Sequence, residues 1–216
     1  MSALVDRLKA LDTCVVSDAL DALGLPGVAQ GLSRLATDTK IAGHVLTVRL
    51  EEAKGRTAER HLCTSAIEAA AAGDVIVVEH HSRTDCAGWG GLLSRAASKK
   101  GLAGTIIDGL CRDIDEARAF DYPVYGRGSV PRTARGRIIE TEFNTAITVD
   151  GITVTPGDLV LADGTGIAFL PADRADEIIS RAEQLFAKEA AMMTAIDAGI
   201  SVGSVMAGNY ERMLED

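Results

Sequence analysis

The chain has 216 residues, 47% of them hydrophobic and 25% charged, with a formal net charge of −9. That length can bury a substantial core, and the acidic balance argues against a nucleic-acid binder, which needs a clustered basic surface. No apolar run reaches the roughly 18 residues that span a bilayer, and no basic-then-apolar leader opens the chain, so a cytoplasmic protein with no membrane or nucleic-acid partner is expected.

Val5, Leu8 and Leu11 recur at helical spacing, and Asp12-Thr13 is placed to cap a second helix over 14–23, which Gly24 stops. Residues 41–49 read as a strand and 61–72 as a helix ended by Gly73. The β-branched run 74–79 predicts a strand covered on both faces. A polar, glycine-containing loop is expected over 80–91, then a helix over 92–100 ended by Gly101. A strand over 104–109, a loop over 110–113, a helix over 114–120 and a strand over 123–126 follow. Such alternation with short loops predicts right-handed βαβ units and a mainly parallel sheet.

The pattern then changes. Residues 138–149 alternate, Asp150-Gly151 signals a hairpin, and 152–154 return. Residues 159–163 and 167–171 add antiparallel strands, a helix over 172–198 follows, and the 209–216 tail is either short helix or loose. The fold class expected is α/β: a single-domain αββα-type sandwich with a mixed sheet, parallel βαβ units plus antiparallel hairpin strands, and a C-terminal helix. Cys14, Cys63, Cys86 and Cys111 are scattered with no CxxC, so they read as reduced thiols and not as a disulfide framework or zinc site.

In open α/β sheets ligands gather at the carboxyl ends of strands. The expected 80–91 and 110–113 loops leave neighbouring strand ends, and each opens a helix whose free N–H groups favour an anion. Gly88, Gly90 and Gly91 either admit a carboxylate close to the main chain or only make a tight turn. Arg112 offers a planar fork for a carboxylate, and Asp113 offers oxygen to a hard divalent cation; the plainer alternative is a helix-capping Asp beside a solvated Arg. His44 and His61 read as structural or surface residues, and Asp108 and Asp163 as turn residues bonding the backbone. Lys99 and Lys100 read as solvated charges at a helix C-terminus. Trp89, the only Trp, either shapes a pocket or covers a subunit contact.

The segment Gly90-Gly91-Leu92-Leu93-Ser94-Arg95-Ala96-Ala97, followed by 101–113 ending in Asp108-Gly109-Leu110-Cys111-Arg112-Asp113, resembles the class II 4-hydroxy-4-methyl-2-oxoglutarate aldolases. That family also contains the regulators of ribonuclease E activity. The resemblance covers most of the chain, including 13–24, Pro123-Val124 and 157–163. It implies a pyruvate aldolase using Mg²⁺ or Mn²⁺ on a 2-oxo acid substrate, with oxaloacetate decarboxylation drawing on the same electron sink. It implies that Arg112 is the catalytic residue gripping the pyruvyl carboxylate, with Gly91, Leu92 and Leu93 helping to bind it. It implies that Asp113 binds the metal, and that Glu189 from a neighbouring subunit holds a metal-bound water, in a homotrimer or hexamer. The wide apolar surface of the C-terminal helix, with Ile178, Ile179, Leu185, Phe186, Met192, Met193 and Ile196, agrees with a shared interface.

One residue departs from the family pattern. The aldolases carry Asp or Glu where this chain has Gly91, so either another group fills in or the reaction differs, and Gly91→Asp is expected to raise turnover. Asp85, His80 and His81 lie in the same expected loop. The competing reading is a non-catalytic regulator that masks a partner protein such as a ribonuclease, which Gly91 favours and Asp113 disfavours. A third is another metal-dependent lyase or dehydratase on the same site.

Overall fold

The computed structural model describes residues 3–58 and 60–207, so the expected 209–216 tail lies outside the described residues. The chain opens with helices α1 (Ala3–Ala10) and α2 (Thr13–Ala22), then short strands β1 (Val28–Ala29) and β2 (Ser33–Arg34). The centre follows as β3 (Ile41–Glu52), α3 (Thr64–Ala69), β4 (Val75–Trp89), α4 (Gly91–Lys100), β5 (Gly104–Cys111), α5 (Ile114–Ala119) and β6 (Val124–Ser129). Strands β7 (Ile138–Phe143), β8 (Ile147–Val149), β9 (Ile152–Val154), β10 (Leu159–Ala162) and β11 (Ile167–Leu170) come next. Helices α6 (Ala175–Asp197) and α7 (Val202–Val205) complete the described residues.

Strands β3, β4, β5 and β6 pair in parallel in chain order, as three successive crossover helices require. The first part of β3 pairs antiparallel with β10 and its end with β7, so one strand joins the parallel and antiparallel halves. Alternation assigns the layers. On β4, Ile76 and Val78 face α3, α4 and α5, whereas Val75 and Val77 face an inner core shared with Val160, Ala162 and Ile167. On β10, Leu159 and Leu161 face α1, α2 and α6. The result is an αββα sandwich with a mixed sheet.

Local chemistry explains the boundaries. Asp12 caps α2 by accepting from the Val15 N–H at 2.9 Å, and Gly24 ends the segment at φ +64°. Gly101, at φ +75°, stops α4. Helix α3 is shorter than the expected 61–72, because Cys63 takes a left-handed φ of +64° at its start and Ala70 turns extended. Helix α6 starts at Ala175 and not at 172, since Arg174 is the capping residue.

The larger correction concerns 80–91. It is no loop: β4 runs through it to Trp89. The strand bulges instead, with His81 and Ser82 at φ +52° and +53°. Register passes from Val78 opposite Ile107 to Arg83 opposite Gly109, and then to Ala87 opposite Leu110. The His80 ring folds over Gly109, filling the space a β-carbon would need there, while Ile107 and Leu50 crowd the same space at Gly88. Polar residues and glycines there read as loop because bulge residues carry the composition of turns.

Candidate active site

Strands β4 and β5 end side by side. Trp89 stands opposite Cys111, and the Arg112 N–H donates to the Trp89 carbonyl at 2.9 Å. This register sets Gly90 and Gly91 against Arg112 and Asp113. Gly90 is extended at φ −157°, so glycine is required for space alone: a β-carbon would lie 2.9 Å from Asp113 Oδ2 and 3.2 Å from Arg112 Nε.

Asp113 stands at the start of α5 with φ +57°, a left-handed conformation that Asp tolerates better than most residues. It does not cap its own helix. Its Oδ2 instead accepts from the Gly91 N–H at 3.0 Å and from Arg112 Nε at 3.1 Å. Asp113 thus caps the N-terminus of α4 across the strand gap and not its own helix. Among the described residues, Oδ1 of Asp113, both Nη atoms of Arg112 and the amides of Leu92 and Leu93 have no hydrogen-bond partner. An unpaired carboxylate oxygen, an unpaired fork and two unpaired helix-start amides therefore share one strand end.

They line a cavity of about 520 Å³. Gly91, Leu92, Leu93, Arg112 and Asp113 line it from the ends of β4 and β5 and the start of α4, together with Trp89 and Leu62. The remaining walls come from Arg56, Arg60 and His61 after β3, and from Arg135, Ile138 and Ile139 at the start of β7. Four arginines face one carboxylate among the described lining residues. The Arg56, Arg60, His61 and Arg135 contributions were not legible in sequence. They come from segments far apart in the chain that β3–β7 pairing joins, for instance through Ala53 N–H donating to the Arg137 carbonyl at 2.8 Å. The only signal was arginine density over 127–137.

Trp89 shapes the pocket. It is stacked on Tyr122 with centroids 6.4 Å apart, its Nε1 donates to Ser94 Oγ at 2.9 Å, and that hydroxyl donates to the Gly90 carbonyl at 3.2 Å. Ser94→Ala strands a buried indole N–H and frees Gly90. Urea unfolding should show a loss of about 1–3 kcal/mol, whereas an unchanged midpoint would show that Ser94 does not brace the site.

Asp85, His80 and His81 do not reach this cavity. Asp85 is paired with Arg83 at 2.8 Å, which pulls its carboxyl down to about 2. His80 is fully buried, its Nε2 donates to the Cys86 carbonyl at 3.0 Å, and burial lowers its pKa. His81 lies 3.7 Å from Glu79. Glu189 sits on α6 outside the cavity of its own chain, where burial, then Asp18 and Asp12 of the α2 region, raise its carboxyl. Asp163 accepts from the Thr13 and Thr165 amides, both at 2.8 Å, as a turn residue should. Asp108 departs from that pattern: it is buried and paired with Arg127 at 2.5 Å. All four cysteines are free. No described helix is long and apolar enough to cross a membrane.

Among the described residues, no three His, Cys, Asp or Glu side chains cluster to hold a metal. This does not suit zinc, which takes three or four protein ligands. It does suit Mg²⁺ or Mn²⁺, because such hard ions keep several waters and need only one or two carboxylates plus substrate oxygens. Asp113 is the one carboxylate among the described residues lining the cavity.

A family model named RraA-like, described as Aldolase/RraA, matches residues 13–169. DlpA from Legionella pneumophila is 28% identical over 199 residues, 92% of this chain, although the chain spans only 32% of DlpA. The 4-hydroxy-4-methyl-2-oxoglutarate aldolase of Thermus thermophilus is 30% identical over 132 residues, 61% of this chain and 76% of that protein. A crystal structure of an uncharacterized protein from Pseudomonas syringae pv. tomato matches with a TM-score of 0.85 and 32% identity, over 94% of this chain and 96% of that one.

Proposed function

The chain belongs to the RraA-like family, and from that premise we propose that it is a pyruvate lyase. It cleaves a 4-hydroxy-2-oxo acid such as 4-hydroxy-4-methyl-2-oxoglutarate between C3 and C4, and it decarboxylates oxaloacetate at the same centre. The observation that carries this reading is the set of unpaired groups on one wall of the cavity: the Leu92 and Leu93 amides, the Arg112 fork and Asp113 Oδ1.

The C1 carboxylate of the substrate binds the two amides at the α4 N-terminus and the Nη atoms of Arg112. Arg112 then lies beside the 2-oxo group, where negative charge develops as the bond breaks. Its Nε contact to Asp113 fixes the guanidinium plane before substrate arrives. Arg56, Arg60 and Arg135 give the rest of the cavity a positive field that suits the second carboxylate of the substrate. Asp113 would hold Mg²⁺ or Mn²⁺, which when bound supplies Lewis-acid stabilisation of the developing charge. No lysine lines the cavity among the described residues, so no Schiff base is invoked. The assembly is a homotrimer or hexamer in which Glu189 completes a neighbour's site. In support, Phe186, Met193, Ile196 and Val202 are exposed along α6 and α7.

The test needs only the pyruvate half of the reaction. The full chain with Mg²⁺ in D₂O should exchange the methyl protons of pyruvate for deuterium, read by proton NMR, and oxalate should compete. No exchange above the protein-free rate at saturating Mg²⁺ and Mn²⁺ would reject the proposal. It would leave the masking of a partner protein as the family activity to pursue.

A further inference from the structure

Retro-aldol cleavage needs a base at the C4 end of the substrate, where the hydroxyl loses its proton as the C3–C4 bond breaks. Among the described residues lining the cavity, only Asp113 and His61 are of the types that commonly serve as general bases. The other polar lining side chains are arginines, threonines and the indole of Trp89. Asp113 Oδ2 already accepts two hydrogen bonds, and its carboxylate is the one given to the cation.

His61, expected from the sequence to be structural or surface, instead enters the cavity from the connection between β3 and α3. Its backbone is held in place. The His61 carbonyl accepts from Thr64 Oγ1 at 2.7 Å and from the Thr64 N–H at 3.4 Å. The next residue, Leu62, is buried in the core cluster that holds Trp89 and Leu93, and the Cys63 N–H donates to the Glu140 carboxylate at 2.5 Å. The ring is held as well. Its Nδ1 lies 3.1 Å from the Leu62 carbonyl, which can only accept, so Nδ1 carries the proton. In the neutral ring that leaves the lone pair on Nε2, and Nε2 has no hydrogen-bond partner among the described residues. The charged groups lining the cavity with it are Arg56 and Arg60 of the same connection, Arg112 and Asp113 at the end of β5, and Arg135 before β7.

We propose that His61 is the general base of this site, with Nε2 as the atom that takes the C4 hydroxyl proton. The inference rests on the lyase reading above. The proton moves to Nε2 directly or through one water. The O–H electron pair becomes the new carbonyl π bond, and the C3–C4 pair passes to C3 as the pyruvate enolate. The proton on the imidazolium then passes to C3 and makes the methyl group of pyruvate. The 4-hydroxy-2-oxo acid becomes pyruvate and a second carbonyl compound, with no oxidant or reductant. Oxaloacetate decarboxylation has no hydroxyl proton to remove, so it depends on His61 much less.

The experiment compares both reactions in the full chain with Mg²⁺, in wild type and His61→Gln. In the variant, kcat for cleavage of 4-hydroxy-4-methyl-2-oxoglutarate should fall about 100-fold or more, while oxaloacetate decarboxylation falls less than about tenfold. Wild-type kcat/KM for cleavage should decline on the acid side as His61 gains a proton, and that decline should be missing in His61→Gln. Oxalate should inhibit decarboxylation by both proteins equally, because the α4 wall is untouched. Unchanged cleavage in His61→Gln, an equal loss of both reactions, an acid-side decline that persists in the variant, or weakened oxalate inhibition would each overturn the proposal while leaving the lyase reading intact. A wild-type chain that catalyses neither reaction would overturn the lyase reading, and the role of His61 with it.

Discussion

Asp113→Asn should lose metal-dependent cleavage almost entirely while remaining folded. Lewis-acid stabilisation is worth several kcal/mol, so a fall of about a thousandfold in kcat is expected. Asn is the informative replacement. It tolerates the left-handed φ of +57° and keeps an oxygen for the Gly91 N–H, so the α4 cap survives. Ala would lose the cap, at about 1 kcal/mol, and strain the backbone by about 1–2 kcal/mol, which would mix folding with chemistry. A second readout does not depend on turnover. Mg²⁺ at about 100 times its Kd should stabilise the wild type by about 2.7 kcal/mol in thermal unfolding, and the Asn variant should show no such shift. An Asn variant that keeps both its Mg²⁺ response and its activity would remove Asp113 from the metal site.

Arg112→Lys should also lose most activity although it keeps the charge. The guanidinium donates from Nε to Asp113 and keeps both Nη atoms unpaired among the described residues, a geometry that one ammonium cannot reproduce. A lost charge-assisted hydrogen bond costs about 1.5–3 kcal/mol, so kcat/KM should fall about 10- to 150-fold. Both the KM for substrate and the inhibition constant of oxalate should rise. Unchanged kcat/KM would show that the substrate carboxylate binds elsewhere.

What was legible in the sequence was whatever local chemistry dictates. Asp12 before α2, Gly101 after α4 and the β-branched run of β4 each act within a few residues, so pattern and structure agree there. The Arg112-Asp113 pair was also legible, because strand–helix alternation places it at a strand end beside Gly90 and Gly91. Two features depended on distant partners and were hidden. The bulged half of β4 is a strand only because β5 pairs with it through an irregular register, and no local period reports that. The cationic walls of the cavity, Arg56, Arg60 and Arg135, meet only because β7 lies along β3. Gly91 was read as a missing acid, and the structure sets the Glu116 carboxylate where its β-carbon would be, a contact between the first turns of α4 and α5 that no local pattern reports.

We propose that the wall formed by α4, Arg112 and Asp113 cleaves a 2-oxo acid with the help of a divalent cation. The most direct measurement is the initial rate of pyruvate formation from 4-hydroxy-4-methyl-2-oxoglutarate, coupled to lactate dehydrogenase, using the full chain stripped of metal and then titrated with Mg²⁺. The prediction is a negligible rate in the stripped protein that rises and saturates with Mg²⁺ and is abolished again by EDTA. Pyruvate formation that ignores EDTA, or no pyruvate at any Mg²⁺ or Mn²⁺ concentration, would contradict it.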